Sequence, residues 1–554
     1  MQERNPGYLL RWLFDSRCGA TDRLIPRWLF LRALAAIYFS AFYSLLFQIK
    51  GLIGPAGILP AHDYLAAVAR AFPPTRFWYA PTLFWISSSS HALMVVTWIG
   101  VVASVIAFLN FWPRLAFLVC FVCFLAFVSS SGDFSSYQSD GMLLEAGFIS
   151  LFFAPSGLNP GWGSSHLPSR ASLFLLQWEW FRIYFESGMV KLVSGDPQWR
   201  SLTAMDEYYQ NGPLPTWIGW HIEHLPHWFH AASAAGTLVL ELFLVWMLFF
   251  PRRVRLICFL LVTPWEIMVI LTANYTFLNY LVLSLGFLLV DDKTLHRFVP
   301  ARSRDRSGIS PDEPAASANT VLPDGPSHEP DTPSELRVCT RIWANPSAHL
   351  SAIGLAFSAL MLSWIFYATT VEMIGIPLRR IPFPTAPISA LEPFRIANQY
   401  GLFAVMTNGR YEIEFQGSND GTIWTPYLFR FKPQALNEAP RIYAPYQPRF
   451  EWNLWFASLS DWHLNELVPL TETRLLVSEP DVLALFRSNP FNSSPPRYVR
   501  AVLWRYWFTT VDEKRRTGNW WRRQLLGLYA PELTLTPEGR VAVVQWPEEL
   551  PLHN

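Results

Sequence analysis

The sequence predicts a polytopic α-helical membrane bundle of about nine transmembrane helices, followed by a β-rich α+β domain outside the membrane. Charged residues make up only 15% of the 554 residues and apolar residues make up 51%, whereas an ordinary soluble domain is about 25% charged. Mean hydropathy is positive, at +0.19. Apolar runs of membrane-spanning length recur up to about residue 370, and strand-like alternation replaces them after residue 380.

A helix needs about 20 mainly apolar residues to cross a bilayer. Residues 1–299 contain eight such segments and residues 346–372 contain the last. The nine predicted helices lie near residues 28–48, 92–112, 115–131, 141–158, 172–192, 231–250, 254–273, 276–290 and 348–369. Residues 300–345 are rich in Pro, Ser, Asp and Glu and poor in large apolar residues. They cannot bury enough surface to offset chain entropy, so we expect a disordered cytoplasmic linker.

Basic residues in the connections predict the orientation, because positively charged loops stay in the cytoplasm. The N-terminal segment, the linker and the connection with Arg252, Arg253 and Arg255 are all basic. With nine helices, the C-terminal domain then lies outside, in the periplasm or in the lumen of the endoplasmic reticulum. Arginine greatly outnumbers lysine, which is typical of a GC-rich, bacterial genome.

Residues 380–554 are predicted to form one β-rich domain. The run 411–431 alternates apolar and polar residues on either side of the turn Ser418-Asn419-Asp420-Gly421, which predicts a hairpin. Residues 498–508 are a second strand-like run, and residues 451–459 and 473–486 have helical spacing. Arginine and tryptophan interleave here, but a net charge of +1 and an outer location argue against nucleic-acid binding.

Ionisable residues inside membrane helices are functional candidates because they are costly there. Glu179, Arg182 and Glu186 share one face of the fifth helix at i,i+3 and i,i+4 spacing, which predicts a self-neutralised polar stripe. Lys191 ends this helix without a partner at helical spacing. It could extend to the lipid headgroups or, if desolvated, act as a base. Three further helices carry one carboxylate each: Glu145, Glu241 and Glu266.

The connection after the fifth helix has histidines every three residues, at His221, His224, His227 and His230. Zinc ligands on one helix face favour i,i+4 spacing, and Pro226 interrupts the run, so no metal site is predicted. No phosphate loop or dinucleotide fingerprint occurs in a suitable context, so no cofactor is predicted either.

The run from residue 181 to residue 229 closely resembles the lipase maturation factor family. The outer domain resembles it too, through NQYGLFAVMTNGRYEIEFQGSNDGTIW, APYQPRFEWNLWFASL and NPFNSSPPRYVRAVLWRYWFTT. The resemblance marks four residues of the loop after the fifth helix as candidates: Asp196, Trp199, Arg200 and His224. It implies a multi-pass protein, in the endoplasmic reticulum of animals, that helps secreted lipases to fold and assemble through its lumenal C-terminal domain.

Residues 186–192, followed by Asp196 and Trp199, are also similar to a stretch of the vitamin K-dependent gamma-carboxylases. In that family a lysine of this stretch is the catalytic base, and Lys191 is the matching position. The resemblance therefore implies an alternative to a folding factor: an intramembrane enzyme that uses Lys191 as its base.

The favoured hypothesis is a membrane-anchored maturation factor without catalytic turnover. Its outer domain would bind a secreted lipase or another secreted hydrolase, and its helices would anchor it in the bacterial inner membrane or, in eukaryotic relatives, in the endoplasmic reticulum. A transporter would also explain the buried charges, but no inverted repeat or matching pair of broken helices is evident.

Overall fold

The computed structural model describes residues 6–135, 137–296, 348–378, 381–492 and 494–548. The predicted disordered linker, residues 300–345, lies outside the described residues. Within them, five helices are long and apolar enough to cross a membrane: Leu24–Leu46, Ser90–Phe108, His227–Phe249, Arg252–Thr272 and Ala352–Gly375.

Each of the nine predicted segments contains a helix, although some of these helices end before the predicted residue. Two of the remaining four are apolar but short, at Pro113–Val128 and Leu278–Leu289. The other two, Gln138–Phe153 and Arg170–Val193, carry buried charged side chains. The fold class is thus confirmed as a helical membrane part followed by an antiparallel sheet, but the count of about nine crossings is not confirmed.

The helices are numbered here in chain order. Before the sheet they are α1 (Pro6–Phe14), α2 (Leu24–Leu46), α3 (Ile49–Ile53), α4 (Ala61–Ala71), α5 (Arg76–Tyr79), α6 (Ser90–Phe108), α7 (Pro113–Val128), α8 (Gln138–Phe153), α9 (Arg170–Val193), α10 (Pro197–Arg200), α11 (Tyr208–Asn211), α12 (Trp217–Glu223), α13 (His227–Leu242), α14 (Arg252–Thr272), α15 (Leu278–Gly286), α16 (Asp292–Leu295), α17 (Ala348–Gly375) and α18 (Ala386–Leu391).

Local sequence signals explain where several membrane helices begin. The Ser89 hydroxyl accepts a hydrogen bond from Ala92 N at the start of α6, and the Ser169 hydroxyl accepts one from Ser172 N at the start of α9. Pro113 occupies the first turn of α7, where its missing N–H costs nothing. Helices α2 and α8 approach closely at Gly147, where a Cβ would lie only 2.0 Å from the Tyr38 hydroxyl oxygen.

The outer domain is built on a six-stranded antiparallel sheet. Strand β3 is central: β1 pairs with it along one edge, while β4 and β5 share the other. Strand β2 pairs with β1, and β6 pairs with β5. The strands are β1 (Arg410–Ser418), β2 (Thr425–Pro426), β3 (Tyr498–Phe508), β4 (Trp521–Leu528), β5 (Glu532–Leu535) and β6 (Val541–Gln545).

The predicted hairpin and second strand are both present. The predicted turn lies in the loop between β1 and β2, where Gly421 has a φ of +74° and the Asp420 carboxylate accepts from the N–H groups of Thr422 and Ile423. The loop is longer than predicted, because β2 spans only two residues. The helices of this domain are α19 (Arg449–Ala457), α20 (Leu467–Leu476), α21 (Pro480–Leu483) and α22 (Val511–Thr517).

Every residue of β1 is buried, although its residues alternate in character. Ile413 and Phe415 point into the aromatic core, where Phe415 packs against Phe450 and Phe486. The intervening residues form a paired polar layer, in which Glu412 receives hydrogen bonds from Arg410 and Lys432. Burial lowers the pKa of Lys432, and Glu412 opposes this. Strand β1 is therefore packed on both faces, unlike an ordinary surface strand.

Candidate functional site

Arg182 lies at the centre of a buried charge cluster between α8 and α9. Its guanidinium group donates hydrogen bonds to the Glu145 carboxylate and, at 2.6 Å, to the main-chain oxygen of Asn398. Glu186 Oε1 lies 3.7 Å from Arg182 Nη1, so the predicted pair at i,i+4 spacing forms. The expected pairing of Glu179 does not form, because neither Glu179 oxygen has a hydrogen-bond partner among the described residues. The strongest partner of Arg182 comes from another helix.

Three carboxylates of the membrane part bind the main chain that leads into the outer domain. Residues 395–408, here called the docking segment, run past them. Glu145 accepts from Asn398 N at 3.0 Å, Glu186 from Tyr400 N at 2.6 Å and Asp196 from Met406 N at 2.6 Å. A buried main-chain N–H without an acceptor is costly, so each of these bonds stabilises the contact. The acidic side chains therefore hold the start of the outer domain against the helices.

Two of the other candidate loop residues, Trp199 and His224, also contact the docking segment or the outer domain. Trp199 donates its indole N–H to the Phe403 main-chain oxygen at 2.9 Å. His224 Nε2 lies 3.0 Å from the main-chain oxygen of Thr509, in the outer domain. Arg200, by contrast, is exposed. Among the described residues, no group of three His, Cys, Asp or Glu side chains could hold a metal ion.

Lys191 is buried and paired with a carboxylate from another helix. Its Nζ lies 2.7 Å from both oxygens of Glu241, on α13, and 5.2 Å from the centre of the Trp199 ring. Its side chain is only 4% exposed, so it does not extend to the headgroups. The close approach of α9 and α13 requires Gly188, since a Cβ there would lie 2.9 Å from the Leu242 side chain and 3.0 Å from Glu241 Cβ.

The Lys191–Glu241 pair lies at the wall of a cavity of about 440 Å³ between α9, α13, α14 and the docking segment. Glu266 also lines it, and Glu266 Oε2 accepts a hydrogen bond from the Tyr184 hydroxyl at 2.6 Å. Most of the remaining lining is apolar or aromatic. The structure thus divides most of the predicted charged residues into two groups, one holding the docking segment and one lining a cavity. Glu179 belongs to neither group.

Sequence reasoning missed several residues that join the two parts. Arg449 forms a two-bond ion pair with Asp140, at 2.7 and 2.8 Å, and Arg410 donates to main-chain oxygens of residues 210, 212 and 213. Asn274 Oδ1 accepts from Tyr443 N at 2.7 Å. All three side chains are buried. Neither arginine stands out in the sequence, because Arg410 begins a strand that also contains Glu412 and Glu414, and Arg449 begins a helix that also contains Glu451.

The fold and this interface define a class: membrane-embedded helical proteins whose outer antiparallel-sheet domain is joined to the bundle by buried ion pairs. Family models agree with both halves. The lipase maturation factor transmembrane domain matches residues 25–297, and the lipase maturation factor C-terminal domain matches residues 396–531. The chain belongs to the lipase maturation factor family, which confirms the resemblance seen in the sequence.

Relatives from animals match nearly the whole chain. Lipase maturation factor 2 of Gallus gallus is 32% identical, over 95% of this chain and 84% of the relative. Lipase maturation factor 2 of Homo sapiens is 31% identical, over 92% of this chain and 83% of the relative. Lipase maturation factor 1 of Bos taurus is 29% identical, over 96% of this chain and 93% of the relative. No solved structure matches the chain.

Proposed function

We propose that the chain is an integral-membrane maturation factor that helps secreted lipase-like clients to fold and assemble through its outer domain. The observation that carries this proposal is the near full-length match to proteins named lipase maturation factors, which includes both the helices and the sheet. The docking segment supports it, because it fixes the outer domain on the membrane part, where an emerging client would meet it.

Strand β6 is the best candidate for the surface that binds a client. Within the described residues it pairs only with β5, so its other edge is free. Val543 and Val544 are 39% and 50% exposed, and Trp546, just after the strand, is 63% exposed. A free apolar edge can pair with an extended chain through main-chain hydrogen bonds. An incompletely folded client offers such chains, whereas a finished lipase does not.

The test is co-expression with a secreted dimeric lipase in cells without a maturation factor of their own. We expect the chain to raise the specific activity of the secreted lipase, and we expect Val543→Asp to remove most of this gain. Glu538→Lys, in the turn before β6, is the matched control, because it alters an exposed charge without changing the edge. Equal lipase activity with and without the chain would refute the proposal.

The proposed topology has nine membrane crossings. Arg252, Arg253 and Arg255 lie in the cytoplasm and the outer domain lies in the periplasm or, in eukaryotic relatives, in the endoplasmic reticulum lumen. The charge asymmetry of the connections supports it. The alternative function, catalysis with Lys191 as base, gains no support from its contacts, because the Lys191 nitrogen donates both of its short hydrogen bonds to Glu241.

A further inference from the structure

The cavity beside Lys191 opens sideways, between two helices that are both candidate membrane spans. Gly236 on α13 and Pro264 and Met268 on α14 line the cavity and are exposed. Nothing lies within 4 Å of where a Gly236 Cβ would be, so the gap is open at this point. Since α13 and α14 present this surface to the hydrocarbon layer, a molecule that enters here comes from the bilayer.

The interior combines an apolar wall with a few polar groups. Trp265 and Phe403 form part of the wall, while Ser187 and Thr237 lie among the polar lining residues. The Asn279 Nδ2 amide nitrogen is buried and has no hydrogen-bond partner among the described residues. An apolar cavity with few placed polar groups is typical of ligand sites, and 440 Å³ falls within their usual range of about 300–1,000 Å³.

The charges in the cavity select against an ionic head group. Lys191 is already neutralised by Glu241. An anionic head group would also meet Glu241 and Glu266, and a cationic one would compete with the Lys191 ammonium group. A hydroxyl or an ester carbonyl, by contrast, can accept from Asn279 and exchange hydrogen bonds with Ser187 at no cost in charge.

We infer that this cavity binds one uncharged single-chain amphiphile from the bilayer, of the monoacylglycerol type. Its chain lies along Trp265 and the α13–α14 opening, and its hydroxyl and ester groups reach Ser187 and Asn279. This inference goes beyond client maturation and does not depend on it, because the site lies within the helices rather than on the sheet.

Photolabelling of the full chain in lipid nanodiscs tests the inference. The probe is a monoacylglycerol with a diazirine in its acyl chain, and labelled peptides are mapped by mass spectrometry. We expect labels on the α13 and α14 peptides that line the cavity. Gly236→Phe, which fills the opening, should reduce this labelling at least about fivefold, as should Met268→Trp.

Val239→Phe is the matched control, because Val239 is 48% exposed on the same helix but does not line the cavity. It should label like the wild type. Gel filtration establishes that each variant remains folded, and Met268→Trp replaces Gly236→Phe if the latter aggregates. Equal labelling of wild type and both opening variants would overturn the inference. Stronger competition by a lysophosphatidic acid than by unlabelled monoacylglycerol would overturn the assignment of an uncharged head group.

Discussion

Lys191 and Glu241 illustrate how little of a buried ion pair can be read from one helix. They lie 50 residues apart, on α9 and α13. The fifth helix predicted from the sequence contains the lysine but gives no indication of its partner. The same holds for Arg182, whose spacing predicts Glu186 correctly but cannot reveal Glu145 on α8. Local spacing identifies which charges are buried, and tertiary packing decides how they pair.

Removal of one member of the Lys191–Glu241 pair should be more harmful than removal of both. Lys191→Met leaves an unpaired carboxylate in a buried site, for which a loss of about 3–5 kcal/mol of unfolding free energy is expected. The double variant, Lys191→Met with Glu241→Gln, should recover most of that loss. Thermal unfolding in detergent provides the measurement. If the double variant is less stable than the wild type by the sum of the two single losses, the pair is not a structural unit.

A different exchange tests whether Lys191 is a base. Lys191→Arg keeps the charge and can still pair with Glu241, but a guanidinium group does not readily give up its proton. For the proposed maturation factor we expect expression and client activity within about twofold of the wild type. The readout is the specific activity of the co-expressed lipase. Normal expression with complete loss of client maturation would instead favour the enzyme hypothesis.

Glu451, in the outer domain, should make stability depend on pH. Burial raises its pKa to about 7, although Arg430 N donates a hydrogen bond to it. In the unfolded chain an ordinary glutamate titrates near 4.3. The folded state therefore holds the Glu451 proton more tightly than the unfolded state does. The stabilisation that Glu451 contributes is fully present below about pH 4.3 and is lost as the pH rises to about 7.

Glu451→Gln should remove this loss. Between pH 4.5 and pH 7.5, the unfolding free energy of the variant relative to that of the wild type should rise by up to about 3 kcal/mol. Melting temperatures across this range provide the comparison. Glu538→Gln, an exposed glutamate of the same domain, is the control and should track the wild type. Parallel pH profiles for wild type and Glu451→Gln would contradict the prediction.

At the scale of elements, helices and strands were the most predictable features. Strand β3 begins and ends at the predicted residues, Tyr498 and Phe508, because the run is long and rich in aromatic residues and valine. The docking segment was not predicted at all. It has no periodicity of its own, and its order comes from groups such as Glu145, which lies 253 residues away from Asn398 in the chain.

The docking segment should loosen when one of its carboxylates is removed. Asp196→Ala deprives Met406 N of its acceptor and also removes the cap that accepts from Gln198 N at 2.8 Å. A buried donor left unpaired costs about 1–3 kcal/mol, so amide exchange around Met406 should accelerate about tenfold or more. Asp206→Ala is the control. Asp206 is more exposed than Asp196 and pairs with His227, so its removal should leave the exchange around Met406 unchanged.

At the scale of the molecule, the predicted division into a membrane part and an outer domain is less complete than the sequence suggests. The buried core is continuous from the helices into the outer domain, since a single cluster contains both Phe124 and Phe450. Arg449 and Arg410 also find partners in the membrane part. In an isolated fragment Arg449 would lose its ion-pair partner Asp140, and Arg410 would lose its main-chain acceptors at residues 210, 212 and 213 while keeping Glu412. The composition change near residue 380 indicates where the architecture changes, but it carries no information about contacts that cross this boundary.

Residues 381–548 expressed alone should therefore contain β-sheet but unfold at a lower temperature than the same domain in the full chain. Arg449→Met should destabilise the full chain by about 3–5 kcal/mol, because it leaves Asp140 buried without its ion-pair partner. In the fragment, where that aspartate is absent, the same exchange should be nearly neutral. Circular dichroism and thermal unfolding measure both. An equal loss in fragment and full chain would show that Arg449 acts only within the outer domain.

The proposed topology can be checked on the whole molecule with reporter fusions after residues 253 and 554. We expect opposite compartments, with the first in the cytoplasm, because the basic connections are retained there. A fusion after residue 223, at the end of α12, serves as the internal reference and should report the same side as the C-terminus. The same compartment for residues 253 and 554 would rule out an odd number of crossings between them.

Glu186 and Asp196 hold the docking segment through main-chain N–H groups, so they recognise the path of the chain and not its side chains. This has a consequence for how such proteins diverge. At residues 400 and 406 nearly any amino acid supplies the required donor, and proline alone among the twenty cannot. Glu186 and Asp196 have no such freedom. Across related chains we expect the acidic positions to persist while their partners drift, with proline missing from both.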